Sequence, residues 1–155
     1  MSTNAYAAKR AIFDRMRERS HLPGNAFSDA LVSYSDPGKF AEGQMVYGGG
    51  ILFDQPKEDE LQDGDDVLTH EVATIGVHIR VEIPTPADGR GCEVSDEICE
   101  AIGEEIGALF KADRHLAGGG SITRIAGGQC DQGSTDTTVT STLTYYVDVE
   151  SDFKQ

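Results

Sequence analysis

The chain has 155 residues, 38% of them hydrophobic, and no run of apolar residues long enough to span a bilayer, which fits a single globular domain with no membrane role. Its net charge of −14 is unevenly placed: residues 1–20 hold five cations against two acids, so the remainder carries −17. That distribution argues against a body that wraps nucleic acid, since phosphate binding is driven by Lys and Arg, and it suits a basic element that docks on the acidic surface of a neighbour. The N-terminus lacks the apolar core of a signal peptide, so the chain is expected to be made in the cytosol.

The first element is a helix starting near Thr3 or Asn4, either of which can accept a hydrogen bond from an early amide. Ala5, Ala8, Ile12, Phe13 and Met16 form its apolar stripe, with Lys9, Arg10, Asp14 and Arg17 mostly off it. Pro23-Gly24 marks its limit. A short strand around Ala30–Tyr34 ends in the turn signal Ser35-Asp36-Pro37-Gly38. Gln44 to Phe53 offers a second strand interrupted by Gly48-Gly49-Gly50, a pattern that marks a bend or a close backbone approach. No GK[ST] follows these glycines, so they do not read as a phosphate-binding loop.

Asp54 to Asp66 contains seven carboxylates, whose mutual repulsion predicts an extended, mobile acidic loop or arm over 53–66. Alignment with a calcium-binding EF-hand loop fails, because a start at Asp59 puts Leu61 at a ligand position and His70 where glutamate is needed. Val67 to Ile83 then keeps a two-residue rhythm. Val67, Ala73, Ile75, Val77, Ile79, Val81 and Ile83 share one face, broken by Thr69 and Glu71. At strand rise this stretch spans roughly 55 Å, well beyond the usual length of up to about ten residues. The half from Ala73 to Ile83 is expected in the core, paired with 139–149, and the half before it as an arm used between subunits.

Pro84-Thr85-Pro86 ends that strand. A second helix is predicted from Glu93 to Ala112 with Val94, Ile98, Ile102, Ile106, Leu109 and Phe110 inward, and with Gly103 and Gly107 allowing close approach to a neighbouring element. Ser121 to Ile125 reads as a short strand between glycine-rich loops. Asp136 to Glu150 alternates again, with Val139, Leu143, Tyr145, Val147 and Val149 on one face. The whole predicts an α+β fold: a mixed, mainly antiparallel sheet with two helices packed on one face, long strands extending into a hairpin-like arm, and one domain over 1–155.

Catalytic signatures are lacking. There is no GxSxG, HExxH or dinucleotide fingerprint, and the three cysteines, Cys92, Cys99 and Cys130, form no CxxC unit. His70 and His78 lie roughly 26 Å apart along a straight strand, too far to share a metal. Neither an enzymatic activity nor a cofactor or metal is expected. A ligand-binding or enzymatic domain using Cys92 or Cys130 is the lesser alternative.

The order of basic helix, short strands, a long strand ending Gly76-Val77-His78-Ile79-Arg80-Val81-Glu82-Ile83-Pro84, acidic amphipathic helix and terminal strand Thr142-Leu143-Thr144-Tyr145-Tyr146-Val147-Asp148-Val149-Glu150 resembles the tail terminator, or tail completion, proteins of long-tailed bacteriophages. The resemblance lies in layout, size and strand character over most of the chain. It implies a homo-oligomer, a hexameric ring, closing the head-proximal end of the tail tube. The implied partners are the tube protein, the head-tail connector or neck proteins, and genomic DNA passing through the lumen without specific binding. The implied location is the virion, assembled in the host cytoplasm; a neck connector or stopper is the related alternative. Arg10, Arg15 and Arg17 on the helix, and Asp63, Asp65, Val67, Thr69 and Glu71 around the start of the long strand, are the expected subunit-interface residues.

Overall fold

A computed structural model describes residues 3–38, 43–55, 61–63, 66–118 and 121–154; for 61–63, 66–68 and 154 the backbone alone is described. Two helices, α1 (Ala5–Ser20) and α2 (Glu93–Ala112), pack on one face of a sheet built from β1 (Ala30–Ser33), β2 (Gly43–Asp54), β3 (Leu61–Asp63), β4 (Asp66–Pro84), β5 (Ser121–Ser134) and β6 (Thr138–Lys154). The strands lie in the order β1-β2-β4-β6-β5, and β3 pairs with the start of β4. Only β1–β2 is parallel; every other pairing is antiparallel. The fold is therefore the α+β arrangement expected.

The register of the two long strands follows from their apolar rhythm. Ile83 faces Val139, Ile75 faces Val147 and Ala73 faces Val149, which puts all of these residues toward the helices. Ile75, Val147 and Val149, with Ile83 packed against them, join Ile12, Phe13, Met16 and Phe27 from the α1 side and Ile102, Ile106 and Phe110 from α2 in one core. The two helices are further tied by Arg19 and Glu105, 3.2 Å apart. The other face carries no helix. Its residues pair across strands, as in Thr74–Asp148 and His78–Thr144, each at 2.8 Å.

Four details differ from expectation. The acidic stretch 54–66 is not a continuous loop: Asp54 ends β2, Leu61–Asp63 form β3, and Asp66 begins β4, while 56–60 and 64–65 lie outside the described residues. The first half of β4, expected as an arm, is flanked by strands of its own chain. Residues 66–68 pair with β3 and 68–72 with the end of β6, because both strands run past the limits that side-chain alternation marks. The strand predicted at 121–125 continues to Ser134, held by β6 although residues 126–134 are all exposed and show no inward face. Finally, the buried stripe of α2 is rotated toward Ser95, Cys99 and Gly103, with Val94, Ile98 and Leu109 only partly covered.

Hydrogen bonds explain that rotation. Ser95 Oγ lies 2.6 Å from Ser141 Oγ, which donates to Asp96 at 2.5 Å, while Cys99 Sγ donates to the Ser141 carbonyl. Polar side chains thus pin the start of α2 onto β6. At Gly103 a Cβ would stand 2.7 Å from Tyr145 Oη and 2.8 Å from Leu143 Cδ2, whereas at Gly107 it would meet nothing within 4 Å. Close approach is gained at the first glycine alone.

Candidate assembly surface

Lys9, placed off the apolar stripe by sequence, is one of the residues α1 buries. Its Nζ donates to the Gly49 carbonyl at 2.8 Å and stands 4.3 Å from the centroid of the Tyr34 ring. Burial lowers its pKa. Gly48 and Gly49 make this packing possible. A Cβ on Gly48 would lie 2.1 Å from the Tyr34 carbonyl, and one on Gly49 would lie 2.5 Å from His78 Nε2 on the opposite face. The β2–β4 register shifts between Gly48 and Ile51, so the three glycines do mark both a bulge and a close approach.

His78 lies against Tyr47 with ring centroids 5.0 Å apart. Its pKa is lowered, first by burial and further by the Lys9 charge, while Asp36 opposes the shift. His70 sits between Glu150 and Asp152, 3.0 Å and 2.7 Å away, and joins β4 to β6 on the face without helices. His115 Nδ1 lies 2.6 Å from the Ser121 carbonyl. Among the described residues no three His, Cys, Asp or Glu side chains converge as metal ligands, and no helix is long and apolar enough to cross a membrane. Cys99 is buried and its pKa is pushed up to about 12, so it stays a thiol at neutral pH; Cys92 is half-buried and Cys130 exposed.

The expected interface residues fall into three groups. Arg10, Arg15 and Arg17 lie on the outer side of α1. Arg15 pairs with Glu18 at 3.2 Å and Arg17 with Asp14 at 2.5 Å, both partners exposed on the same helix, whereas Arg10 is exposed and has no ion pair among the described residues. Thr69 and Glu71 turn inward, at 3% and 0% exposure. Glu71 Oε1 accepts the Asn4 amide at 3.1 Å, and Oε2 accepts both the Thr3 hydroxyl and the Gln55 amide at 2.7 Å. Thr3 in turn accepts the Ala5 amide at 3.1 Å, while Asn4 makes no side-chain cap. Glu71 is thus the anchor of the α1 N-terminus, engaged inside its own chain rather than displayed for another. For Asp63 and Val67 the backbone lies in the β3–β4 hairpin, and Asp65 lies outside the described residues.

The surface best built for pairing is one that alternation does not reveal. β5 forms an edge of the sheet, fourteen residues long, and from Ala126 to Ser134 every residue is exposed. Near its start the outer edge is covered, because the Thr123 amide donates to the Arg114 carbonyl at 2.7 Å. Farther on, β6 is the strand's sole sheet neighbour among the described residues. Gly128 holds it close to β6, since a Cβ there would lie 2.9 Å from the Thr144 carbonyl. A long open edge of this kind offers backbone donors and acceptors to another strand. The sequence signal for it is the unpatterned polar run Gln129-Cys130-Asp131-Gln132 leading straight into a hairpin with β6.

No protein-family model matches the chain, and no curated protein matches it.

Proposed function

We propose that this chain is a structural subunit of a phage tail or neck. Copies of it close into a ring at the head-proximal end of the tail tube, end tube growth and offer the surface that joins the head, leaving a channel for DNA. The long open edge of β5 carries this reading: an exposed edge promotes uncontrolled association unless another chain covers it in an ordered way. The sheet order leaves β1 as the opposite edge, with α1 packed beneath it. Two different edges suit head-to-tail contacts, in which one patch meets a different patch on its neighbour and the rotation closes a ring. The split of charge between the basic first helix and the acidic remainder favours the same polarity of contact.

The experiment is light scattering on the purified protein, followed by negative-stain microscopy with and without tail tubes. Rings, alone or on tube ends, are the expected result. Compact monomers under every condition, with tubes growing unchecked in their presence, overturn the reading.

A further inference from the structure

We propose that a groove between the C-terminal half of α2 and the start of β5 binds an acidic segment of a second copy, residues 54–66. The groove has a volume of about 520 Å³, with Phe110 and Ile125 contributing apolar surface, Lys111, Arg114 and Arg124 contributing cations and Glu150 one carboxylate; Arg124 also stands 3.8 Å from Asp148. Gly107 keeps its wall low, since nothing stands within 4 Å of where its Cβ would be.

Two observations mark the groove as built for a ligand. Thr123 is only 2% exposed, and its Oγ has no hydrogen-bond partner among the described residues, although the residue's amide is satisfied by Arg114. A buried hydroxyl left unpaired costs free energy that a bound acceptor recovers. Lys111 and Arg114 also form no ion pair among the described residues, in a chain with 27 acids for 13 cations. The α2 dipole favours Lys111 in the last helical turn and Asp148 pairs with Arg124 at 3.8 Å, but neither accounts for Arg114 or for the orphan hydroxyl.

The chemistry of the groove, three cations against one carboxylate around an apolar floor with one hydroxyl donor, favours a peptide rich in carboxylates that also carries an apolar side chain. Within this sequence the stretch 54–66 matches: seven carboxylates, one lysine and Leu61. The choice of a second copy as the source rests on the ring reading above.

The test titrates the full-length protein, at a dilution where light scattering shows monomers, into a fluorescent peptide of residues 54–66 and follows anisotropy. Binding that weakens as salt rises is expected, with Lys111→Glu and Arg114→Glu each weakening it about tenfold. Thr123→Val is expected to weaken binding severalfold while raising the melting temperature of the free protein, because it removes the unpaired hydroxyl. Absence of binding overturns the proposal. So does binding that the charge reversals leave unchanged, or equal binding of a peptide whose carboxylates are replaced by amides. Equal binding of polyglutamate overturns the assignment to this segment. Ring formation is read separately: rings whose subunits ignore the peptide remove the groove proposal alone, and permanent monomers that bind it remove the ring alone.

Discussion

Glu71 accepts hydrogen bonds from Thr3, Asn4 and Gln55 while fully buried, so its removal strands three donors at once. Glu71→Ala is expected to cost about 3 kcal/mol, and Glu71→Gln, which keeps one acceptor, about half of that; denaturant unfolding measures both. In sequence, Glu71 looked like a break in an apolar face because its partner Thr3 lies 68 residues away, a separation at which periodicity carries no information. His78 makes a prediction about pH. Its folded pKa lies below the ordinary histidine value of 6.5, so the unfolded chain takes up the proton first as pH falls. Stability from this residue is therefore complete above 6.5 and declines as pH drops below it toward the lowered folded value. Comparison of melting at pH 5 and pH 7 should show a drop that His78→Asn reduces; an equal drop in both proteins would exclude this histidine as its source. The cysteines divide by exposure. Cys130 should alkylate rapidly in the native protein and Cys99 only on unfolding, as peptide mapping after timed labelling would show.

Among the elements, β4 and β6 were legible down to register, because each alternates over a buried face and a one-residue slip would turn every apolar side chain outward. The limits of α2 were equally clear, from Pro84 and the glycines before it to the polar residues after Ala112. What sequence hid were parts held by pairing and polar contacts rather than by an apolar face. The outer half of β5 is exposed at every residue and tied to α2 by polar contacts such as Gln132 to Asp96, and β3 is three residues among carboxylates, so neither has an apolar pattern to detect. The rotation of α2 was hidden because Ser95 and Cys99 are buried by hydrogen bonds to β6 rather than by hydrophobicity. The glycines of β2 allow a direct test of close approach. Gly48→Ala should cost about 3 kcal/mol, because the new methyl meets the Tyr34 carbonyl, while Gly50→Ala, with nothing within 4 Å, should change stability by less than about 0.5 kcal/mol. Equal effects at the two positions would remove the steric account of the bulge.

At the scale of the whole molecule, the arginines of α1 are not equivalent. Arg15 and Arg17 are engaged by acids one turn away, whereas Arg10 is exposed and has no ion pair among the described residues. Arg10→Glu should therefore weaken self-association more than Arg15→Glu, with the gap narrowing as salt rises. Sedimentation velocity across a protein dilution series reads this, and a larger loss for Arg15→Glu would place the contact elsewhere on the helix. Architecture and charge asymmetry were readable because they are properties of long stretches. The inward turn of Thr69 and Glu71 was not, because an arm and a buried polar anchor interrupt an apolar rhythm in the same way.

The position of β6 between β4 and β5 also sets an order of events during synthesis. β4 and β5 run parallel, linked through α2, and neither pairs with the other; the strand that joins them is the last of the six to leave the ribosome. Until residues 138–154 emerge, β4 lacks one neighbour and β5 lacks any, so the exposed β5 edge does not yet exist. Under the ring proposal, the β5 edge becomes available for association only once β6 is in place.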